Sequence, residues 1–96
     1  MARRIVRIHI DEGLPKGAHH ISRVKWVKDG DLLKRKRERS VIQVIERIRA
    51  GKKYYVKDKR TGRIAFVTIA HRDGREYIRT EPDDDKLDNL LALKMF

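Results

Sequence analysis

The most concentrated chemistry in this chain is cationic. Lys34-Arg35-Lys36-Arg37-Glu38-Arg39 sets five cations around one acid, and Arg47, Arg49, Lys52, Lys53, Lys57, Lys59 and Arg60 continue the run. From Lys34 to Arg60 there are 12 basic and 3 acidic residues, a net of +9. Cations at this density bind phosphate groups by displacing their counterions, with little regard to base sequence. The expected contacts are Lys34, Arg35, Lys36, Arg37, Arg39, Arg47, Arg49, Lys52 and Lys53. The competing reading is a solvated face laced with ion pairs. A second set, Arg23, Lys25, Tyr55, Tyr77 and Arg79, falls on strand-like segments, where rings could stack unpaired bases while guanidinium groups hold their phosphates. No RNP-like aromatic motif accompanies it. Trp26 shares a side with Val24 and is expected in the core.

Other chemistries find less support. Adjacent His19 and His20, near Asp11 and Glu12, point opposite ways in an extended chain and cannot easily ligate one ion. His9 and His71 stand apart from them. Asp83, Asp84, Asp85 and Asp88 lack the spacing and glycine of a calcium loop and read as a solvated turn or an internal counterion. With no cysteine in the chain, thiolate nucleophiles, disulfides and Cys-based zinc or iron–sulfur sites are excluded. Ser22 lies on a strand-like segment, Ser40 in a helix cap, and neither sits in a nucleophile elbow. The expectation is a protein that is not an enzyme and uses no metal or cofactor.

Charge and composition frame these residues. The net charge is +11, and it is uneven: residues 1–60 carry 19 Lys/Arg against 7 Asp/Glu, whereas residues 61–96 carry 6 against 7. The excess therefore lies wholly in the first part, where it attracts polyanions. At 96 residues and 40% apolar content, the chain reads as a single domain spanning 1–96 with enough apolar surface for a core. The uncharged stretch Ile64–Ala70 is far short of the ~20 residues that span a bilayer. Arg3, Arg4 and Arg7 interrupt any signal-like apolar run at the N-terminus. The expected setting is cytoplasmic, without a membrane.

The elements that must position the cations follow from periodicity. Residues 3–10 alternate as a strand, with Val6, Ile8 and Ile10 opposite Arg7 and His9. A Gly/Pro-bearing loop spans 11–19, a second strand 20–28, and Asp29-Gly30 marks a turn. Ser40 and Gln43 have capping-box spacing. Val41, Val44, Ile45 and Ile48 then form one apolar stripe, which Gly51 terminates. After this helix, about 40–50, come strands at 53–57, 63–70 and 76–80, joined by turns at Thr61-Gly62 and Asp73-Gly74. Ile64, Phe66, Val67 and Ile69 suggest that 63–70 is the central strand. Leu87, Leu90, Leu91, Leu93, Met95 and Phe96 form an apolar tail expected to dock on the body. The fold class is α+β: one helix on a mainly antiparallel four- or five-stranded sheet in the order β-β-α-β-β-β. One short helix covers one sheet face, so the other is solvated, covered by the tail or buried against a partner.

Ile21-Ser-Arg-Val-Lys-Trp26 is one of several recognisable strings. Val41-Ile42 with Ile45, Ile48 and Gly51, followed by Tyr55-Val56, is another. With Tyr77-Ile-Arg-Thr, Pro82-Asp83 and Asp88-Asn-Leu-Leu91, they make the chain similar to a family of short bacterial and phage proteins. That family is described only as a domain of unknown function. The resemblance covers roughly residues 20–96 and implies a small stand-alone domain, with no activity, cofactor or site to carry over. Residues 1–19 read as a strand-like extension to it, and the basic run 34–39 as a departure from it.

Two partner classes are expected: DNA or RNA on the Lys/Arg surface, or a protein partner, including a second copy of the chain, on the open sheet face, a free strand edge or the tail. Under the second, the charge serves only solubility and thermostability. One Asn, one Gln and no Cys beside 41% charged residues match the composition of proteins from hot environments. The melting temperature is accordingly expected above the ~45–65 °C of mesophile domains; a calorimetric transition inside that range would remove this reading.

Overall fold

The computed structural model describes residues 2–58, 61–80 and 89–96. Among the described residues, seven strands and one helix follow in the order β1 (Arg3–Ile10), β2 (Ile21–Lys28), β3 (Arg37–Ser40), α1 (Val41–Arg49), β4 (Tyr54–Lys57), β5 (Ile64–Arg72), β6 (Arg75–Thr80) and β7 (Lys94–Met95). Short 3-10 turns at Ala18–His20 and Asn89–Ala92 precede β2 and β7. The sheet order is β3-β2-β1-β4-β5-β6, with β7 also against β1. The α+β class holds, but the sheet has more strands than expected and is mixed. β1 is parallel to both β4 and β7, while the other pairs are antiparallel.

Two strands escape the periodicity argument. β3 lies within the basic run and carries no apolar alternation, because an edge strand needs only backbone partners on one side. It pairs with β2 through Arg37 opposite Trp26 and Ser40 opposite Arg23. β7 is two residues long, Lys94 and Met95, set beside Arg7 and Ile8. The central position also differs from expectation. It belongs to β1, whose Ile5, Ile8 and Ile10 are buried, whereas Ile64 and Phe66 of β5 are exposed. Residues 3–10 thus run through the middle of the sheet.

Register irregularities decide which side chains enter the core. Ile5 pairs with Trp26 and Arg7 with Lys25, so Val6 is an extra residue in β1. Such a bulge shifts the alternation by one, and Ile5 replaces Val6 beside Ile8 and Ile10. Ser22 plays the same part in β2, where Ile10 opposes Ile21 and His9 opposes Arg23; Ile21 and Val24 both end buried.

The helix forms as its sequence dictates. Ser40 Oγ accepts from Gln43 N at 3.2 Å, and Gln43 Oε1 accepts from Ser40 N at 3.1 Å, completing the capping box. At the other end Gly51 has φ 91°. Gly51 N donates to Ile48 O and Lys52 N to Arg47 O, each at 3.0 Å, which satisfies the last carbonyls. Val41, Val44 and Ile45 are buried, and Ile48 packs on the same cluster. Because β3 and β4 are both parallel to β1, α1 carries the chain back past β2 and β1 before β4 begins.

The hairpin between β5 and β6 turns on Asp73 (φ 51°) and Gly74 (φ 76°), the two positive dihedrals that suit the twist of flanking strands. The tail docks as expected: Leu90 is fully buried, and Leu91 and Leu93 pack against the core.

Removing the Leu90 side chain to Ala should cost about 2–5 kcal/mol by leaving a cavity, lowering Tm by at least ~8 °C. Leu32→Ala, at a residue 95% exposed, should move stability by less than ~0.5 kcal/mol. Equal melts for wild type and Leu90→Ala would contradict the docked tail. Ser40→Ala should cost about 1 kcal/mol, read from the urea midpoint at unchanged slope.

Candidate functional site

Strand registers bring the basic segment to one end of the molecule. Arg3, at the start of β1, lies opposite Lys28, at the end of β2, and beside Tyr54, at the start of β4. Arg37 opens β3 opposite Trp26, so the β2–β3 turn with Lys34 and Lys36 projects from this end. The helix arrives here too, since Arg3 N donates to Lys53 O at 2.9 Å. Arg47, Lys52 and Lys53 therefore join the same pole.

Of the nine cations expected to contact phosphate, two are answered by acids. Arg35 Nε is 3.4 Å from Asp31 Oδ2, and Arg49 Nη1 donates to Glu76 Oε1 at 2.9 Å. Lys34, Lys36, Arg37, Arg39, Arg47, Lys52 and Lys53 have no carboxylate partner among the described residues. The acidic cluster Asp83–Asp85 and Asp88, read from sequence as a turn or counterion, and Lys59 and Arg60 lie outside the described residues.

Several of these cations rest on aromatic rings instead. Arg39, Arg3 and Arg37 hold their guanidinium carbons 4.4, 5.5 and 5.7 Å from the Trp26 ring centroid. Arg3 also lies 5.9 Å from the Tyr54 ring, and Arg39 Nη1 donates to Tyr54 Oη at 2.6 Å. The two rings meet edge to face at 6.4 Å. Trp26 is 2% exposed, as expected of a core tryptophan, yet its outer side is roofed by charge. Lys53 sits 5.8 Å over Phe66, and Lys25 4.6 Å over Phe96. A guanidinium on an indole face is held electrostatically and keeps its in-plane N–H groups free for a ligand.

The second expected set does not assemble as one platform. Arg23 and Lys25 lie on the sheet face away from the core; Arg23 Nε donates to Glu38 Oε2 at 2.7 Å. Tyr55 shares that outward side on β4 and donates from its hydroxyl to Asp29 Oδ1 at 2.5 Å. Burial, with the Asp29 carboxylate beside it, pushes the Tyr55 hydroxyl above its ordinary pKa, so the ring is a neutral tether for the β2–β3 turn. Tyr77 and Arg79 belong to β6, separated from β2 by β1, β4 and β5 in the sheet order. The Tyr77 ring meets His19 edge-on at 6.1 Å, and Arg79 Nε donates to Thr80 O at 3.4 Å.

Arg3, Lys28, Trp26 and Tyr54 were absent from the expected site. The one signal for Arg3 was its place two residues before Ile5 on a core face, and the Val6 bulge concealed which face that was. The His19 and His20 rings lie side by side, tilted by 47° with centroids 3.9 Å apart, but no three His, Asp or Glu side chains converge among the described residues. No helix among those residues is long and apolar enough to cross a membrane.

Comparison with known proteins adds a family and no activity. No curated protein and no solved structure matches the chain. The family described as "protein of unknown function (DUF3892)" matches residues 4–94, which takes in nearly all of β1, the basic run and the chain onward as far as Lys94. This chain therefore belongs to that family of unknown function.

Proposed function

We propose that this protein binds nucleic acid through its basic pole, contacting phosphates with little preference for base sequence and catalysing no reaction. The observation that supports this most directly is the group of seven cations gathered at one end without a carboxylate partner among the described residues. An ion-pair surface built for heat resistance would pair them. The pole is assembled from the β2–β3 turn, the start of β3, the end of α1 and the loop before β4, so it can follow a backbone over several phosphates. Its field draws polyanions at rates that fall with added salt.

A protein partner is the second reading, favoured by Leu32 and Leu33, which are 95% and 75% exposed beside the basic run. Ile64 and Phe66 add an exposed apolar pair on the outward side of β5. The docked tail leaves less for such a partner than its composition suggested. The cytoplasmic setting is common to both readings.

Fluorescence anisotropy with labelled duplex and single-stranded oligonucleotides of arbitrary sequence tests the first reading. Binding should be measurable at about 50 mM salt, and log K should fall linearly with log salt, by about 0.9 per phosphate contacted on duplex. Lys36→Ala and Lys52→Ala should each reduce that slope by about 1 and weaken all sequences alike. Undetectable binding at the lower salt, or a slope insensitive to both variants, would refute it. A solution mass of two copies with no nucleic-acid binding would favour the protein partner.

A further inference from the structure

We propose that Arg3, Arg37 and Arg39 form a discrete oxyanion site over Trp26, which takes one phosphate group. This deepens the nucleic-acid reading by naming where a single phosphate of the backbone is held, and it rests on that reading only for the source of the phosphate.

Three like charges from two strands share one ring, at 4.4 to 5.7 Å from its centroid. None of them touches a carboxylate among the described residues. Lys28, directly opposite Arg3, adds a fourth charge of the same sign to that face. Ring contacts offset part of this repulsion, but an anion between the guanidinium groups would offset far more.

Hydrogen-bond accounting points the same way. Each guanidinium carries five N–H donors. Arg39 gives one bond to Tyr54 Oη. Among the described residues, Arg3 Nε is buried without a hydrogen-bond partner, and so is Trp26 Nε1. Burying a donor unpaired is destabilising, and such a donor is satisfied when a phosphate oxygen reaches it. Position is set by backbone pairing: Arg37 opposite Trp26, Arg39 opposite Val24, Arg3 beside Tyr54. The side chains are thus gathered before any ligand arrives, which lowers the ordering cost of binding. The planar forks suit the tetrahedral oxygens of phosphate better than ammonium groups would.

Trp26 is the single tryptophan of the chain, so its emission reports on the site. Inorganic phosphate and pyrophosphate are titrated against chloride at matched ionic strength, and a short oligonucleotide is titrated in parallel. The expected result is a saturable change with both phosphates and none with chloride. Arg37→Gln and Arg3→Lys should each weaken that response about tenfold or more, as loss of a charge-assisted bond implies, with melting temperatures held near wild type. Arg75→Gln, exposed at the start of β6, should leave it unaltered. No saturable phosphate response, or Arg37→Gln responding like wild type, would overturn the site and leave the arginines as packing over the indole, even if the oligonucleotide binds. A saturable phosphate response without oligonucleotide binding would keep the site and make free phosphate its ligand, removing the nucleic-acid reading instead.

Discussion

Backbone pairing along the two edges of β1 is the constraint on which the remainder of the molecule depends. One edge is occupied by β2 for nearly its whole length. The other is divided: Arg3 and Arg4 pair with β4, and Arg7 and Ile8 with β7. An unpaired strand edge buried in the centre of a sheet would strand several N–H and C=O groups, each costly without a partner. The chain must therefore bring both a strand reached through the helix and a short terminal strand to the same edge. That requirement explains why α1 crosses the sheet, why its C-terminal turn ends beside Arg3, and why Leu90 is locked into the core. The basic pole is a by-product of this closure, since four chain segments with cationic ends must meet there.

Excess charge in so small a domain needs counterparts, and this chain finds many of them in rings. Arg3, Arg37 and Arg39 lie over Trp26, Lys53 over Phe66 and Lys25 over Phe96. Guanidinium groups are weakly hydrated and planar, so they stack on an aromatic face at smaller desolvation cost than an ammonium. Ion pairing with an acid would spend the same cation's donors, whereas ring contact leaves most of them available. Aromatic support and ligand capacity are thus compatible in a way that salt bridging is not.

The elements whose signals are local were legible from the sequence. Ser40, Gln43, the stripe from Val41 to Ile48 and Gly51 specify α1 because caps and amphipathic period act within a few residues. Asp73-Gly74 specifies its hairpin because only residues tolerant of positive φ fit there. What was illegible depends on pairing between distant segments. Arg37-Glu38-Arg39 looks like solvated loop until β2 supplies a partner, and nothing local marks Val6 as the extra residue that hands Ile5 to the core. The same holds for the site. The cationic run was visible as composition, while the convergence of Arg3 and Arg39 on Trp26 required knowing that β1, β2 and β3 lie side by side.

β3 also has a consequence for how the molecule behaves among its own copies. As the outermost strand on its side among the described residues, it presents backbone groups to which a neighbour's strand could add. Its residues Arg37, Glu38 and Arg39 would force an incoming chain to set its own side chains against alternating charge on both faces of the ladder, and against cations wherever that chain is another copy's β3. Charged edge strands of this kind discourage sheet extension between molecules. The segment that concentrates positive charge thereby also discourages growth of the sheet along this edge.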